Sequence, residues 1–174
     1  METERLLMRR FKPDDGKDLF EYLSDEKVVE FEPYLTFNCK EEVAKEAERR
    51  SHNDSWWAVC LKGCEKLIGN VCLFKQEFDT WELGYVFNAN YWGKGYATEA
   101  VRTVIDNAFK NHNVRRIIAM CDPLNERSWK LLDRLGMRRE GHLRQNIYFR
   151  KDEFDNPIWK DTYEYAILFD EWFG

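Results

Sequence analysis

Residues 87–98 read Phe-Asn-Ala-Asn-Tyr-Trp-Gly-Lys-Gly-Tyr-Ala-Thr, and this stretch is the most informative part of the sequence. It follows an aromatic-rich run, Trp81 to Phe87, that predicts a β-strand, and it leads into a helical pattern that starts near Tyr96. Gly93 and Gly95 lie at the junction. The first N–H groups of a helix have no partner within the helix and share the positive end of its dipole, so this junction is suited to binding an anion.

The stretch differs from two better-known nucleotide loops. A Walker loop needs the pattern GxxxxGK[ST], but Lys94 precedes a glycine here. A dinucleotide loop, GxGxxG, would need a third glycine at the position of Thr98. Two glycines one residue apart also occur where a strand simply turns into a helix, so the stretch alone leaves both readings open.

The residues before this stretch predict three strands and two helices in addition to the strand at Trp81. Aromatic and β-branched residues mark the strands, and apolar residues at helical spacing mark the helices. The connections between the strands before the loop are short, which favours antiparallel neighbours. The strands are expected at Leu6–Phe11, Trp56–Leu61 and Leu67–Phe74, and the helices around Leu19–Leu23 and over Lys40–Asn53.

The residues after it predict two helices and three more strands. One apolar stripe continues the first helix to Asn111, and Gly136 is suited to end the second. The last two strands flank a polar hairpin at Lys151–Pro157. Strands are expected at Arg116–Cys121, Met137–Phe149 and Ile158–Phe169, with the second helix around Trp129–Leu135. The order indicates an α+β (mixed α/β) fold, in which one sheet of about seven strands is flanked by about four helices.

Length and composition agree with one domain over residues 1–174. A chain of 174 residues with 44% apolar and 16% aromatic residues can bury a large core. The net charge of -5 argues against nucleic acid as a partner, because a nucleic-acid binder usually carries a basic surplus. It favours cationic small molecules or basic chain ends, although a mildly acidic balance is common and need not reflect any partner.

The cysteines and histidines do not have the spacing of a metal site. Cys60, Cys64 and Cys72 lack the paired two-residue spacing of zinc knuckles, and the three histidines are scattered, so no metal is expected. The first residues show no signal peptide, and no apolar run approaches the ~20 residues that cross a bilayer. We therefore expect a cytoplasmic protein with reduced thiols and no membrane partner.

With its neighbours, the glycine stretch resembles motif A of the GNAT N-acetyltransferases, Q/R-x-x-G-x-G/A. Asn90 stands at the first position, Gly93 at the fourth and Gly95 at the sixth. The wider text, Glu82-Leu-Gly-Tyr85 and residues 91–100, is similar to the ribosomal-protein-alanine acetyltransferase (RimJ/RimL-like) branch. Asn90 departs from the family's Gln or Arg, which puts one side-chain phosphate contact in doubt but not the backbone cradle.

The resemblance covers nearly the whole chain. Residues 125–137, Asn-Glu-Arg-Ser-Trp-Lys-Leu-Leu-Asp-Arg-Leu-Gly-Met, are similar to the family's N-x-x-S…LGF segment. Trp159-Lys-Asp161 and the closing Glu171-Trp172 look like the tail of the same branch.

The resemblance implies a mixed, mostly antiparallel sheet whose fourth and fifth strands splay apart. The pantetheine arm of acetyl-CoA would lie in that gap and bond to main chain near Phe87, and its pyrophosphate would reach the glycine loop. No metal is implied. The cofactor-binding residues are then expected to be Phe87, Asn88, Gly93, Lys94, Gly95, Tyr96, Ala97, Thr98 and Asn125.

Two residues are candidates for the chemistry. Glu82 lies on the strand that leads to the loop, where several branches of the family place a general-base glutamate, and it could take the amine proton through water. A structural or solvent-facing carboxylate is the alternative. Ser128 matches a family serine near the sulfur and is the candidate general acid; an ordinary residue of the first helical turn is the alternative. Asn125 would orient the pantetheine arm, although a helix N-cap that bonds the Ser128 N–H also explains it.

The resemblance thus predicts an N-acetyltransferase that moves the acetyl group of acetyl-CoA to a primary amine by direct attack in a ternary complex. The amine would be a protein N-terminus or a small amine, and a homodimer is compatible with this reading. The alternative is a catalytically inactive acyl-CoA-binding sensor or scaffold of the same fold. Glu140, His142 and Tyr148 are weaker candidates for the border of the acceptor pocket.

Overall fold

A computed structural model describes all residues from Met1 to Gly174. The seven strands are β1 (Leu6–Arg9), β2 (Trp56–Leu61), β3 (Leu67–Lys75), β4 (Thr80–Phe87), β5 (Arg116–Cys121), β6 (Arg138–Lys151) and β7 (Pro157–Leu168). The six α-helices are α1 (Gly16–Leu23), α2 (Glu26–Val29), α3 (Lys40–Ser51), α4 (Tyr96–Asn111), α5 (Glu126–Arg134) and α6 (Phe169–Phe173). Short 3-10 turns cover Pro13–Asp15 and Ala89–Tyr91.

The seven predicted strands are confirmed in their order along the chain, and two short helices add to the four predicted ones. Helix α2 is a single turn of four residues, which is too short to show a helical spacing of apolar residues. Its N-cap residue, Asp25, accepts the N–H of Lys27 at 3.0 Å. Helix α6 has five residues and begins at Phe169, which was expected to end the last strand. The last hairpin is tighter than predicted, because the Asp152 carboxylate accepts N–H groups from Phe154 and Asn156 at 2.9 Å.

The seven strands form one sheet in the order β1-β2-β3-β4-β5-β7-β6. Every neighbouring pair is antiparallel except β4 and β5, which are parallel. That parallel pairing begins at Thr80–Arg116 and stops at Leu83–Ala119, although β4 continues to Phe87. Residues 84–87 therefore pair with β3 on one side only. The predicted splay between the fourth and fifth strands is present.

Helices cover both faces of the sheet. Alternate residues of β4, including Tyr85 and Phe87, face a large core that α4 and α5 complete. Val86 faces the opposite side and packs against a second core formed with α1 and α3. Glu82 shares its parity with Val86, so the period of the strand places it on the side of α1 to α3.

A buried polar network ties α1 and α3 to the sheet. Arg50 of α3 is 2% exposed and donates to Asn70 Oδ1 at 3.0 Å and to Glu46 Oε1 at 2.6 Å. The Tyr22 hydroxyl also donates to Asn70 Oδ1, at 3.0 Å. The Arg50 guanidinium lies 4.1 Å from the centre of the Trp56 ring. The buried charge is thus paired with a carboxylate and hydrogen-bonded to an amide oxygen, as a buried guanidinium requires.

We predict that Arg50→Met lowers the free energy of unfolding by about 3 kcal/mol, because it breaks a buried ion pair and leaves Asn70 with one partner fewer. Arg49→Met is the matched control: Arg49 contacts the same Glu46 carboxylate at 2.6 Å, but its side chain is 54% exposed. Its loss should stay within about 1 kcal/mol. Urea unfolding followed by tryptophan fluorescence measures both, and equal losses would show that the buried network does not hold this layer.

Candidate active site

A cleft of about 990 Å³ passes through the sheet where β4 and β5 part. On the side of α4 and α5 it is bordered by Tyr85, Ser128 and the glycine loop. On the other side it is bordered by Glu82 and by the segment that follows α2. The gap between the strands therefore joins the two faces of the sheet.

The glycine loop presents free main-chain donors to this cleft. Gly93 and Gly95 have φ angles of 74° and 80°, in the left-handed region that glycine adopts without strain. The N–H groups from Gly93 to Thr98 donate to no main-chain or side-chain acceptor of the protein. A Cβ built on Gly93 would meet no atom within 4 Å, so the space in front of the loop is open. The loop is suited to a phosphate or pyrophosphate group, as its sequence indicates.

Residues far away in the sequence hold the loop in place. Arg5 donates to the Lys94 carbonyl at 3.0 Å and to Glu99 Oε2 at 2.7 Å, and its guanidinium lies 4.6 Å from the centre of the Tyr96 ring. The Trp92 indole donates to the Phe87 carbonyl at 2.8 Å. The role of Arg5 has no sequence signal, because its contacts span about ninety residues of chain.

Two predicted cofactor-binding residues do not border the cleft. Asn88 is 2% exposed, and its Oδ1 accepts the Asn90 N–H at 3.0 Å, which stabilises the turn before the loop. Lys94 Nζ donates to the Asn90 carbonyl at 3.0 Å and lies over the Tyr91 ring. The other predicted cofactor-binding residues do line the cleft: Phe87, Gly93, Gly95, Tyr96, Ala97, Thr98 and Asn125.

Ser128 lies at the start of α5, beside the gap. Asn125 caps this helix by accepting the Ser128 N–H at 3.2 Å, which confirms the capping interpretation of Asn125. The Ser128 and Tyr85 hydroxyl oxygens are 2.9 Å apart, and the Tyr85 hydroxyl also contacts the Ser128 carbonyl at 3.1 Å. Sequence reasoning missed the Tyr85 hydroxyl, because it counted this residue only as part of an aromatic-rich strand and of the family-like text.

Burial keeps the neighbouring acids protonated. It raises the pKa of Tyr85, against a smaller opposing effect of the Ser128 hydroxyl. It also raises the pKa of the Cys121 thiol to about 12. The Tyr85 hydroxyl therefore carries its proton at neutral pH, and together with the Ser128 hydroxyl it forms a pair that can donate.

Glu82 borders the cleft on the opposite face of the sheet. Its Oε2 accepts a hydrogen bond from Gln76 Nε2 at 2.9 Å, and it forms no ion pair. The carboxylate is therefore held in place while it keeps capacity to accept further protons or hydrogen bonds. The structure places Glu82 and Ser128 on the same cleft but on opposite faces of β4.

The weaker candidates lie outside the cleft. Glu140 is held by Arg116 at 2.6 Å and by Arg138, and these hydrogen bonds lower its pKa to about 2. His142 contacts Asp161 Oδ2 at 2.8 Å, and Tyr148 packs edge-on against an exposed tryptophan. The contacts of these three side chains lie in the last hairpin and in the strand beside it.

The chain belongs to the GNAT acetyltransferase family. The family model described as "Acetyltransferase (GNAT) domain" matches residues 5–138. The protein is therefore an acetyltransferase of a family that typically depends on acetyl-CoA.

Individual relatives are similar to this chain over nearly its full length. The chain is 37% identical to an uncharacterized N-acetyltransferase, YnaD, of Bacillus subtilis over 98% of this chain and 97% of that one. An acetyltransferase of the GNAT family from Bacillus anthracis superimposes with a TM-score of 0.88, at 34% identity and 98% coverage of both chains. A ribosomal-protein-S5-alanine acetyltransferase from Vibrio fischeri has a TM-score of 0.75 at 28% identity, with 99% of this chain and 97% of that one covered.

Neither a candidate metal site nor a candidate membrane-spanning helix is found in the structure. No group of three or more His, Cys, Asp and Glu side chains is placed to hold a metal ion. No helix combines the length and apolar character needed to cross a membrane.

We predict that Gly93→Ala weakens acetyl-CoA binding by roughly tenfold or more, a loss of about 1.4 kcal/mol, because the added methyl group enters the space in front of the loop. Gly63→Ala is the matched control. Gly63 also has a positive φ, 94°, with nothing within 4 Å of an added Cβ, but it lies in the turn between β2 and β3. Both variants should lose similar stability, about 1 kcal/mol. Calorimetric titration with acetyl-CoA separates them, and equal affinities would contradict a phosphate site at Gly93.

Proposed function

We propose that the protein transfers the acetyl group of acetyl-CoA to a primary amine by direct attack within a ternary complex. The observation that supports this most strongly is the cleft through the sheet. It joins free main-chain donors on one face to a carboxylate on the other. A donor and an acceptor that enter from opposite faces would meet in the gap between β4 and β5.

The residues around the gap fit acetyl-CoA. The N–H groups of the loop and of the first turn of α4 suit the pyrophosphate. The edge of β4 beyond Leu83 has no partner strand on its β5 side, so its main chain can bond the amides of the pantetheine arm. Asn125 lines the same cleft. Acetyl-CoA supplies the activated acyl group, and the protein positions it.

The chemistry begins with a proton. An amine with a pKa of ~10 enters as an ammonium ion and must lose a proton before its nitrogen can attack. Glu82 accepts that proton through a water molecule. The nitrogen lone pair then forms the C–N bond, and main-chain N–H groups near Phe87 stabilise the negative charge that develops on the carbonyl oxygen.

The second half of the reaction needs an acid. The C–S bond breaks, and the departing thiolate takes a proton from Ser128. Tyr85 lies 2.9 Å from Ser128 and can return a proton to it. The nitrogen passes its second proton to solvent, and solvent returns one proton to the Tyr85–Ser128 pair. The products are the amide and the free thiol, with one proton released overall.

The acceptor is proposed as a protein N-terminus or a small amine. The sequence resemblance to the ribosomal-protein-alanine branch and the likeness to the Vibrio fischeri enzyme support testing N-terminal peptides of ribosomal proteins alongside polyamines, aminoglycosides and amino acids. The test is a turnover screen that follows release of the CoA thiol over this panel. Tight acetyl-CoA binding with no turnover would favour a sensor instead.

We predict that Glu82→Gln lowers kcat by about 100-fold, because the amine proton loses its acceptor. Glu77→Gln is the matched control: Glu77 is exposed, forms no ion pair and lies in the turn just before β4. It should leave kcat unchanged. Steady-state kinetics with the best amine of the panel measure both. A kcat for Glu82→Gln within threefold of wild type would remove Glu82 as the proton acceptor.

We predict that Ser128→Ala lowers kcat by roughly tenfold or more while acetyl-CoA affinity stays within about threefold, because only departure of the thiolate needs the hydroxyl. Tyr85→Phe should have a smaller effect in the same direction, since it removes the partner of Ser128 but not the acid itself. Single-turnover kinetics and calorimetry separate the two quantities. A loss of affinity with kcat preserved would make Ser128 a binding residue only.

A further inference from the structure

Glu32 is a cleft carboxylate that the mechanism above does not use. It lies in the segment that follows α2 and lines the cleft beside Phe31 and Pro33, on the same side as Glu82. The residue is half-buried and takes part in none of the ion pairs of the chain. No Lys, Arg or His nitrogen therefore lies within 4.0 Å of its carboxylate. No sequence motif singles it out.

Its surroundings make this carboxylate costly to ionise. Burial raises the pKa of Glu32 to about 7, and the more distant Arg50 charge and the Tyr34 hydroxyl offset burial only in part. Glu32 in turn raises the pKa of Cys72 on β3 and of Tyr85 on β4. The carboxylate therefore acts electrostatically on β3 and on β4, the second of which borders the gap.

The other charged groups of the cleft are mostly engaged elsewhere. Lys160 donates to Asp122 at 2.7 Å. Asp161 accepts from the Gln145 N–H at 2.9 Å and contacts His142 and Arg144. Lys27 lines the cleft but lies beyond ion-pair distance of any carboxylate. Glu32 and Glu82 thus remain as the carboxylates of this half of the cleft that lack a cation.

We propose that Glu32 binds the acceptor's ammonium group, and that the cleft therefore selects an amine that arrives positively charged. This rests on the proposed function. A cation that enters beside Glu32 supplies the missing partner of a half-buried carboxylate, and it restores the ionised form that burial disfavours. Glu82 then takes the proton. Glu32 determines the KM of the acceptor, whereas Glu82 determines kcat.

The cleft walls suit the carbon chain of such an amine. Val28, Phe31, Ile147 and Phe149 line the same half of the cleft. An alkyl stem can pack on these apolar side chains while its ammonium group contacts the carboxylate.

Butylammonium titrated into the CoA-saturated protein tests this binding, because it stays charged between pH 5.5 and 8.5 and no acetyl group is present. We expect affinity to fall as the pH drops below about 7, because protonation of Glu32 removes its charge. Glu32→Gln should bind roughly tenfold more weakly and lose this pH dependence. Glu30→Gln is the matched control, since Glu30 is exposed, lies two residues away and does not line the cleft. NMR chemical-shift titration measures all three proteins.

Equal binding by Glu32→Gln and Glu30→Gln, or no binding by wild type, would overturn the proposal. Kinetics with the best amine of the panel add a second readout: Glu32→Gln should raise KM about tenfold with kcat within threefold. Unchanged KM would also overturn it. If no amine turns over, the proposed function fails, but the butylammonium titration still decides the role of Glu32. A thermal midpoint for Glu32→Gln at or above that of wild type at pH 8.5 would show that weak binding does not come from unfolding.

Discussion

The early end of the pairing between β4 and β5 is the constraint on which the rest of the site depends. Parallel pairing stops at Leu83–Ala119, and β4 then continues to Phe87 with one edge free. A strand edge inside a sheet leaves main-chain groups unpaired, and such groups need a partner. An extended amide-bearing ligand can serve as that partner. The same gap opens a passage between the two faces of the sheet, and in the proposed reaction acetyl-CoA and the amine enter it from opposite faces.

The elements around the gap divide the work between the two faces. On one face, α4 begins at the glycine loop, and Arg5 and Trp92 hold that loop against β1 and β4. On the other face, α1 and α3 are fixed to the sheet by the Arg50 network, and the segment after α2 lines the cleft. The end of β4 packs tightly against β3: a Cβ on Gly69 would come within 2.5 Å of the Phe87 ring, so β3 requires a glycine at this position.

The sequence predicts the strands, the long helices and the loop well, because their signals are local. The stripe of Val101, Ile105 and Phe109 in α4 and the two glycines before it are examples, and the buried stripe is confirmed. Helices α2 and α6 are too short to show a period. Contacts between residues distant in sequence carry no local signal, which is why Arg5, the hydroxyl of Tyr85 and the carboxylate of Glu32 escaped prediction. Asn88 shows the opposite case, since it is adjacent to the loop in sequence but turned into the core.

Amide hydrogen exchange over residues 84–98, followed with acetyl-CoA and with ATP at equal saturating concentrations, tests whether the free edge of β4 and the loop form one acetyl-CoA site. Acetyl-CoA is predicted to slow exchange both in residues 84–87 and in residues 93–98, and ATP should protect the loop alone or neither segment. A single acetyl-CoA site would be contradicted if acetyl-CoA slowed exchange in neither segment, or if ATP slowed it equally in both.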